Sequence, residues 1–221
     1  IVLAEGGLAT FTSQNLTPRV VICDPTLTLD LSPEHTAGAG MDALTHCVET
    51  YIASAYNPPA DGIARDGLRR AASNLEKAVG DRGNLRARRE LMAAALNGTL
   101  AHQKGLGGVH AMSHGLLGAV EGGIDHGAAN AVLLPLVLQF NAPAVSARYD
   151  VIRYEMGLSK TADLSEAIAR LRERIALPAT LDALGVRKSD LGRAADYAAR
   201  DYANRTNPRH AGRADYLAML E

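Results

Sequence analysis

The chain has 221 residues, of which 47% are hydrophobic and 21% charged, and its formal net charge is −1. This balance is typical of a globular protein, and the scattered Lys and Arg residues argue against nucleic acid or an anionic membrane as a partner. Two cysteines are too few for a disulfide framework, no basic-then-apolar leader opens the chain, and no apolar run approaches the roughly 20 residues of a transmembrane helix, so we expect a cytoplasmic protein.

Residues 1–31 are expected to form short strands and loops. Residues 19–23 are a brief β-branched run that Asp24 and Pro25 end, and we expect Cys23 to be buried within it. The chain opens with an apolar, strand-like run at Ile1 rather than with Met, so we expect it to be part of a longer protein.

From residue 32 onward the pattern is helical. Ser32 and Pro33 are a typical N-cap and first helical residue, and Asn57-Pro58-Pro59 is expected to break this first helix. Asp61 and Asn84 are the expected N-caps of the next two helices. The expected helices are 33–55, 62–79, 85–104, 128–140, 164–175 and 189–202. The segment 128–140 is nearly all apolar, which indicates a helix that is buried on every side.

Asp42 and His46 are four residues apart, so on a helix they lie on one face and can reach one metal ion. Taken alone, the pair favours a simple hydrogen bond along the helix. We expect Cys47, on the same helix, to be a buried structural residue.

His110, His114 and His126 fall within 17 residues, and the first two are again four residues apart. Three imidazoles and one carboxylate suit Fe²⁺ or Zn²⁺. Spacing by itself leaves a metal site and a set of structural histidines equally open.

Several sequence blocks together carry a family resemblance. They are DPTLT (24–28), GMDALTH (40–46), GLGGVHAMSH (105–114), HGAANAVLLP (126–135) and TNPR (206–209). In combination they are very specific, and from about residue 15 to its end the chain resembles the iron-containing alcohol dehydrogenases.

The resemblance implies a mostly α fold. This is the all-helical metal-binding domain of a dehydroquinate synthase-like two-domain protein, with a short β remnant of the N-terminal α/β domain. Residues 1–31 would be the remnant of the dinucleotide-binding domain, and residues 32–221 the helical metal-binding catalytic domain. No Gly-rich phosphate loop is found in the sequence. We therefore expect the segment alone to hold metal without a complete cofactor site, and to be inactive.

The resemblance also implies roles for single residues. The implied metal ligands are Asp42, His46, His110 and His126. His114 would lie beside the nicotinamide as a catalytic residue that handles a proton, and Thr28 and Leu31 would border the dinucleotide. The stretch between His114 and His126 is slightly longer than the family's commonest pattern, which makes His126 the least secure ligand.

The implied function is metal-dependent transfer of a hydride between an alcohol and NAD or NADP, with Fe²⁺ or alternatively Zn²⁺ as the metal. We expect a homodimer that acts on a small alcohol or carbonyl compound. A maleylacetate reductase-like enzyme is one alternative, although that relative typically has Asn where this chain has Asp42. A metal-dependent hydrolase or lyase on the same ligands is another, and a helical interaction module with incidental histidines is the non-enzymatic one.

Overall fold

The computed structural model describes residues 2–4, 7–9 and 13–221. Strands β1 (Val2–Ala4) and β2 (Gly7–Ala9) pair in antiparallel fashion, with Leu3 opposite Leu8. The α-helices of the described residues are α1 (Pro33–Ile52), α2 (Pro58–Gly80), α3 (Leu85–Ala101), α4 (Gly108–Ala119), α5 (His126–Glu155), α6 (Leu164–Arg174), α7 (Lys188–Arg200) and α8 (Arg213–Leu220). The mostly α architecture expected from the sequence is confirmed, and the described residues from 13 onward contain helices and no strand.

Helix α1 is the central element of the fold. It begins as predicted, because the Ser32 hydroxyl accepts a hydrogen bond from the backbone N–H of His35 and Pro33 occupies the first helical position. Helices α2, α3 and α5 pack around it, so that nearly all of its residues after His35 are buried. Asp42 and His46 are only partly buried, and they lie on the one face that stays open.

Helix α2 begins four residues earlier than the sequence suggested. Asn57, and not Asp61, is the N-cap, and its side chain accepts a hydrogen bond from the Ala60 N–H. Pro58 and Pro59 were expected to break the first helix, and α1 does end before them, at Ile52, but they do not lie in a loop. Instead they occupy the first turn, where a missing N–H costs nothing.

Helix α5 extends well beyond the predicted 128–140. It runs to Glu155 through Pro135 and Pro143, and the non-helical backbone of Val145 (φ −138°, ψ 26°) marks a kink. By length and composition α5 could cross a membrane, but 61% of its most apolar stretch is buried inside the protein. A core helix explains that composition.

The segment before α1 departs from the prediction. Residues 19–23 form no strand, and Val20 and Ile22 are 76% and 85% exposed. Cys23 was expected to be buried and is exposed, whereas Cys47 is buried as expected. The physical reason is that a β-branched run becomes a strand only when a partner strand accepts its backbone hydrogen bonds, and none pairs with it in the described residues.

Helices α6 and α7 match the two amphipathic helices of the prediction, and α8 was not foreseen. Helix α7 packs closely on α4, because Gly115 has no side chain to separate them: a Cβ there would lie 2.4 Å from the Ala194 carbonyl oxygen. This contact brings the chain after α7, beginning at Asp201, next to the face of α4 that carries His114.

Candidate metal centre

Helices α1 and α4 bring three potential metal-binding side chains together. Donor atoms of Asp42, His46 and His110 all lie within 4.8 Å of one another. The Nε2 atoms of His46 and His110 are 3.2 Å apart, and they lie 3.7 and 3.5 Å from Asp42 Oδ1. The i, i+4 spacing on α1 therefore does place Asp42 and His46 on one face, opposite a histidine from a second helix.

His126 joins this group from the first residue of α5. Its Nε2 lies 3.5 Å from Asp42 Oδ1, although His126 is not part of the group of three whose donor atoms all lie within 4.8 Å of one another. In the loop before it, Gly122 and Gly123 have left-handed backbone (φ 84° and 75°), which glycine adopts without strain. Asn130, one turn further along α5, donates a 2.8 Å hydrogen bond to the same carboxylate oxygen.

A close backbone contact holds the start of α5 against α1. A Cβ at Gly127 would lie only 2.1 Å from the Gly38 carbonyl oxygen. The two helices can approach this closely only because Gly127 lacks a side chain. The contact lies directly next to His126, the residue of α5 that approaches Asp42.

Five of the seven histidines and one tyrosine are gathered here. Around buried His110 runs a closed ring of side chains in which each neighbours the next: Asp42, His46, His102, Tyr202, His114 and His126. The centroid of the His102 ring lies 5.7 Å from that of the His46 ring and 6.1 Å from that of the Tyr202 ring. Sequence reasoning missed both residues. His102 follows the end of α3, with no spacing that links it to the others.

Glu49 is a further residue that the sequence analysis missed. It lies one turn beyond His46 on α1, and its side chain is completely buried. Its Oε2 accepts a 2.7 Å hydrogen bond from His110 Nδ1, which leaves Nε2 of that ring directed at the cluster. A carboxylate seven residues after Asp42, on the same face, was the available sequence signal.

The charges of the cluster complement one another. Burial opposes the charged form of His110, but the hydrogen bonds and charges of Asp42 and Glu49 outweigh it and raise its pKa to about 9. Burial and the charge of His110 lower the pKa of His46 to about 3, and burial lowers that of His126 to about 4. Burial would raise the pKa of Asp42, yet the neighbouring imidazoles lower it to about 2.

These protonation states fit a divalent cation. Near neutral pH His46 and His126 are neutral and Asp42 is ionised, whereas the raised pKa of His110 keeps a proton on that ring, which a bound cation would displace. Two Nε2 atoms 3.2 Å apart can share a hydrogen bond in the absence of a cation, and both can ligate one ion when it is bound. Three imidazole nitrogens and one carboxylate oxygen are a common donor set for Fe²⁺ or Zn²⁺.

His114 is buried beside the proposed metal ligands, and a carboxylate contacts the side of its ring that faces away from them. Its Nδ1 lies 3.1 Å from an Asp201 carboxylate oxygen, and its ring stacks 5.7 Å from that of His126. A carboxylate on Nδ1 fixes the orientation and tautomer of an imidazole. Asp201 is 87 residues away in sequence and was not predicted.

Thr28 and Leu31 lie apart from the histidines. With Arg88, Leu91 and Met92 they line a mostly apolar pocket of about 180 Å³ between α1 and α3. The Arg88 guanidinium donates a 2.6 Å hydrogen bond to the Thr28 carbonyl oxygen, which fixes the loop that carries both residues.

The sequence model of the Fe-containing alcohol dehydrogenase family, C-terminal, matches residues 36–221. The chain is 43% identical to a 4-hydroxybutyrate dehydrogenase from Cupriavidus necator, over 100% of this chain and 60% of that protein. A crystal structure of a 1,3-propanediol oxidoreductase superposes with a TM-score of 0.83 at 37% identity, over 89% of this chain and 53% of that one. A maleylacetate reductase from Rhizobium sp. strain MTP-10005 gives a TM-score of 0.83 at 28% identity, over 96% of this chain and 59% of that one.

Proposed function

The chain belongs to the iron-containing alcohol dehydrogenase family, and from this premise we propose that the protein containing it interconverts an alcohol and its aldehyde or ketone with NAD or NADP. The chain spans only about three-fifths of the 4-hydroxybutyrate dehydrogenase that it matches. An α/β dinucleotide-binding domain would precede residue 32, and the active site would lie between that domain and the helical one.

The observation that carries this proposal is the convergence of Asp42, His46 and His110 on one point, with His126 joining through Asp42. These four side chains would hold Fe²⁺, with Zn²⁺ as the alternative. When bound, such a cation supplies Lewis-acid polarisation of the substrate oxygen. Retention of the carboxylate at Asp42 favours this reaction over that of a maleylacetate reductase.

The chain's own residues would bind and orient the substrate and exclude water from it. His110 forms the buried base of the site at 1% exposure, and Asp42, His46 and His126 are partly exposed, so a substrate can reach them from solvent. His114, oriented by Asp201, would exchange the proton that accompanies hydride transfer and flank the nicotinamide. Thr28 and Leu31 would contact the rest of the dinucleotide.

For the substrate we propose short linear alcohols that carry a second oxygen group. Two of the similar proteins are named for 4-hydroxybutyrate and 1,3-propanediol. The side of the ring away from Asp42 is formed by His102 and Tyr202, whose polar atoms suit such a group. We also propose that the protein is a homodimer located in the cytoplasm.

The decisive experiment uses the purified full-length protein. We expect oxidation of NADH or NADPH, followed at 340 nm, when a short hydroxyaldehyde is added, and loss of the activity after chelation with recovery on adding Fe²⁺ or Zn²⁺. His46→Ala and His110→Ala should remove most of the bound metal. His35→Ala is the matched control, because His35 is an exposed residue of the same helix.

Two results would contradict the proposal. The assignment of the ligands is wrong if metal content is unchanged in both His46→Ala and His110→Ala. Activity that survives complete removal of metal would instead favour a metal-independent relative of the family.

A further inference from the structure

The most fully buried carboxylate near the cluster belongs to Glu49, and no Lys or Arg pairs with it among the described residues. A buried carboxylate is costly unless hydrogen bonds compensate it. Glu49 accepts four such bonds. They come from the backbone N–H groups of Gly107, Val109 and His110 and from the His110 ring.

Three of these donors are at the N-terminus of α4. The N-cap position of this helix is Gly107, which has no side chain to cap it. Glu49 supplies the cap from α1 instead, with distances of 3.2 Å from Gly107 N, 2.7 Å from Val109 N and 3.2 Å from His110 N. A negative charge at this end is also favoured by the helix dipole. Asn207 accepts from the remaining N–H, that of Gly108.

The fourth bond concerns the His110 ring. Nδ1 donates to Glu49 at 2.7 Å, so when the ring gives up its second proton the lone pair is on Nε2, the atom that faces Asp42 and His46. A carboxylate in this position fixes the tautomer and makes the ring a stronger metal ligand. Among the described residues, Nδ1 of His46 and Nδ1 of His126 are buried without any hydrogen-bond partner. Of the three histidines proposed as ligands, His110 is therefore the only one in the described part of the chain whose Nδ1 a carboxylate holds.

We propose that Glu49 is a positioning residue of the metal centre. It fixes both where the first turn of α4 lies along α1 and the metal-binding tautomer of His110. The inference rests on the proposed metal site and adds to it. Because Asp42, His46 and Glu49 share one face of α1, a single carboxylate sets the position of the α4 ligand relative to the two α1 ligands.

The absence of a side chain at Gly107 is part of the same arrangement. A Cβ there would lie 2.8 Å from Glu49 Oε1 and 2.8 Å from Asn207 Oδ1. At neighbouring Gly108 the nearest contact would be an ordinary 3.4 Å, to the Val137 side chain. Gly107→Ala therefore disturbs Glu49 while removing no charge, and Gly108→Ala is a matched control.

The test measures Zn²⁺ affinity of the full-length protein by competition with a chelator, together with the melting temperature of the metal-free form. We expect Glu49→Gln to weaken Zn²⁺ binding about 10- to 100-fold. Gln keeps the shape but loses the charge, and its NH₂ group faces a backbone donor. Gly107→Ala should weaken binding in the same direction, and Gly108→Ala should leave it near the wild-type value.

A lower melting temperature with Zn²⁺ affinity within two-fold of wild type, in both Glu49→Gln and Gly107→Ala, would make Glu49 a structural cap only and overturn the inference. If Glu49→Gln does not fold, Gly107→Ala decides, since it keeps every carboxylate. Absence of Zn²⁺ binding in the wild type is a different result, which would contradict the proposed metal centre itself.

Discussion

At the scale of single residues, two imidazoles of the site are each oriented by a carboxylate. His110 and His114 are on the same helix, one turn apart, and each has its Nδ1 near a carboxylate from a different part of the chain. Glu49 comes from α1 and Asp201 from the end of α7. The two rings are therefore oriented independently, and we propose different tasks for them: His110 ligates the metal and His114 handles a proton.

This difference leads to a prediction for His114. We expect His114→Ala to lower turnover about 10²-fold, the usual scale for losing one acid–base group, while metal content stays at the wild-type level. Turnover and metal stoichiometry of the purified full-length protein are the measurements. Exposed His210, changed to Ala, is the control.

Two outcomes would contradict this assignment. If His114→Ala loses the metal, His114 is a ligand and His126 is the residue to question. If neither turnover nor metal content changes, His114 is a packing residue that only fills the face of α4.

At the scale of elements, the metal cluster depends on how closely α1, α4 and α5 approach one another. The α1–α5 contact is backbone to backbone, between Gly127 and the Gly38 carbonyl. Because Gly127 follows His126 directly, any side chain at this position pushes the first turn of α5, and its histidine, away from Asp42.

We therefore expect Gly127→Ala to lower both stability and metal affinity. Overpacking of this kind costs about 1–3 kcal/mol in unfolding free energy. The matched control is Gly62→Ala in α2, where the position is exposed and a Cβ would meet nothing within 4 Å. There we expect a gain of about 0.5–1 kcal/mol, since Ala favours the helix over Gly.

Denaturant unfolding and chelator competition measure the two quantities. Gly127→Ala protein with wild-type metal affinity would show that the α1–α5 contact does not position His126.

At the scale of the whole molecule, the segment before α1 exposes several large apolar side chains to solvent. Leu16, Val20, Ile22 and Leu27 are at least 67% exposed, which is unusual for four large apolar side chains within one short segment. Together with the relatives' greater length, this supports the proposal that an α/β domain packs against this region. Thr28 and Leu31 would then lie at the boundary between the two domains.

We expect the isolated 221-residue chain to show no measurable affinity for NADH or NADPH, because the phosphate-binding loops would belong to the other domain. Cofactor fluorescence titration measures this, with the full-length protein as the positive control. Circular dichroism establishes first that the isolated chain is helical. Tight binding by a folded, isolated chain would contradict the two-domain proposal.

The sequence by itself determined much of the local structure. Ser32 and Asn84 were identified as N-caps because a short polar side chain before an apolar periodic run satisfies the free N–H groups of a helix. The i, i+4 spacings placed Asp42 with His46, and His110 with His114, on shared helix faces. The family resemblance then named His126, which spacing alone could not connect to the other ligands.

Only the tertiary structure decided which side chains complete the site. Glu49 lies 61 residues from His110, and Asp201 lies 87 from His114, so no local periodicity links them. Helix packing joins them: Gly107 leaves room for Glu49 at the start of α4, and Gly115 lets α7 pack on α4. The errors have the same origin: residues 19–23 have strand propensity, but a strand and a buried Cys23 both require a partner surface. Local sequence sets which residues share a face, and packing sets which faces meet.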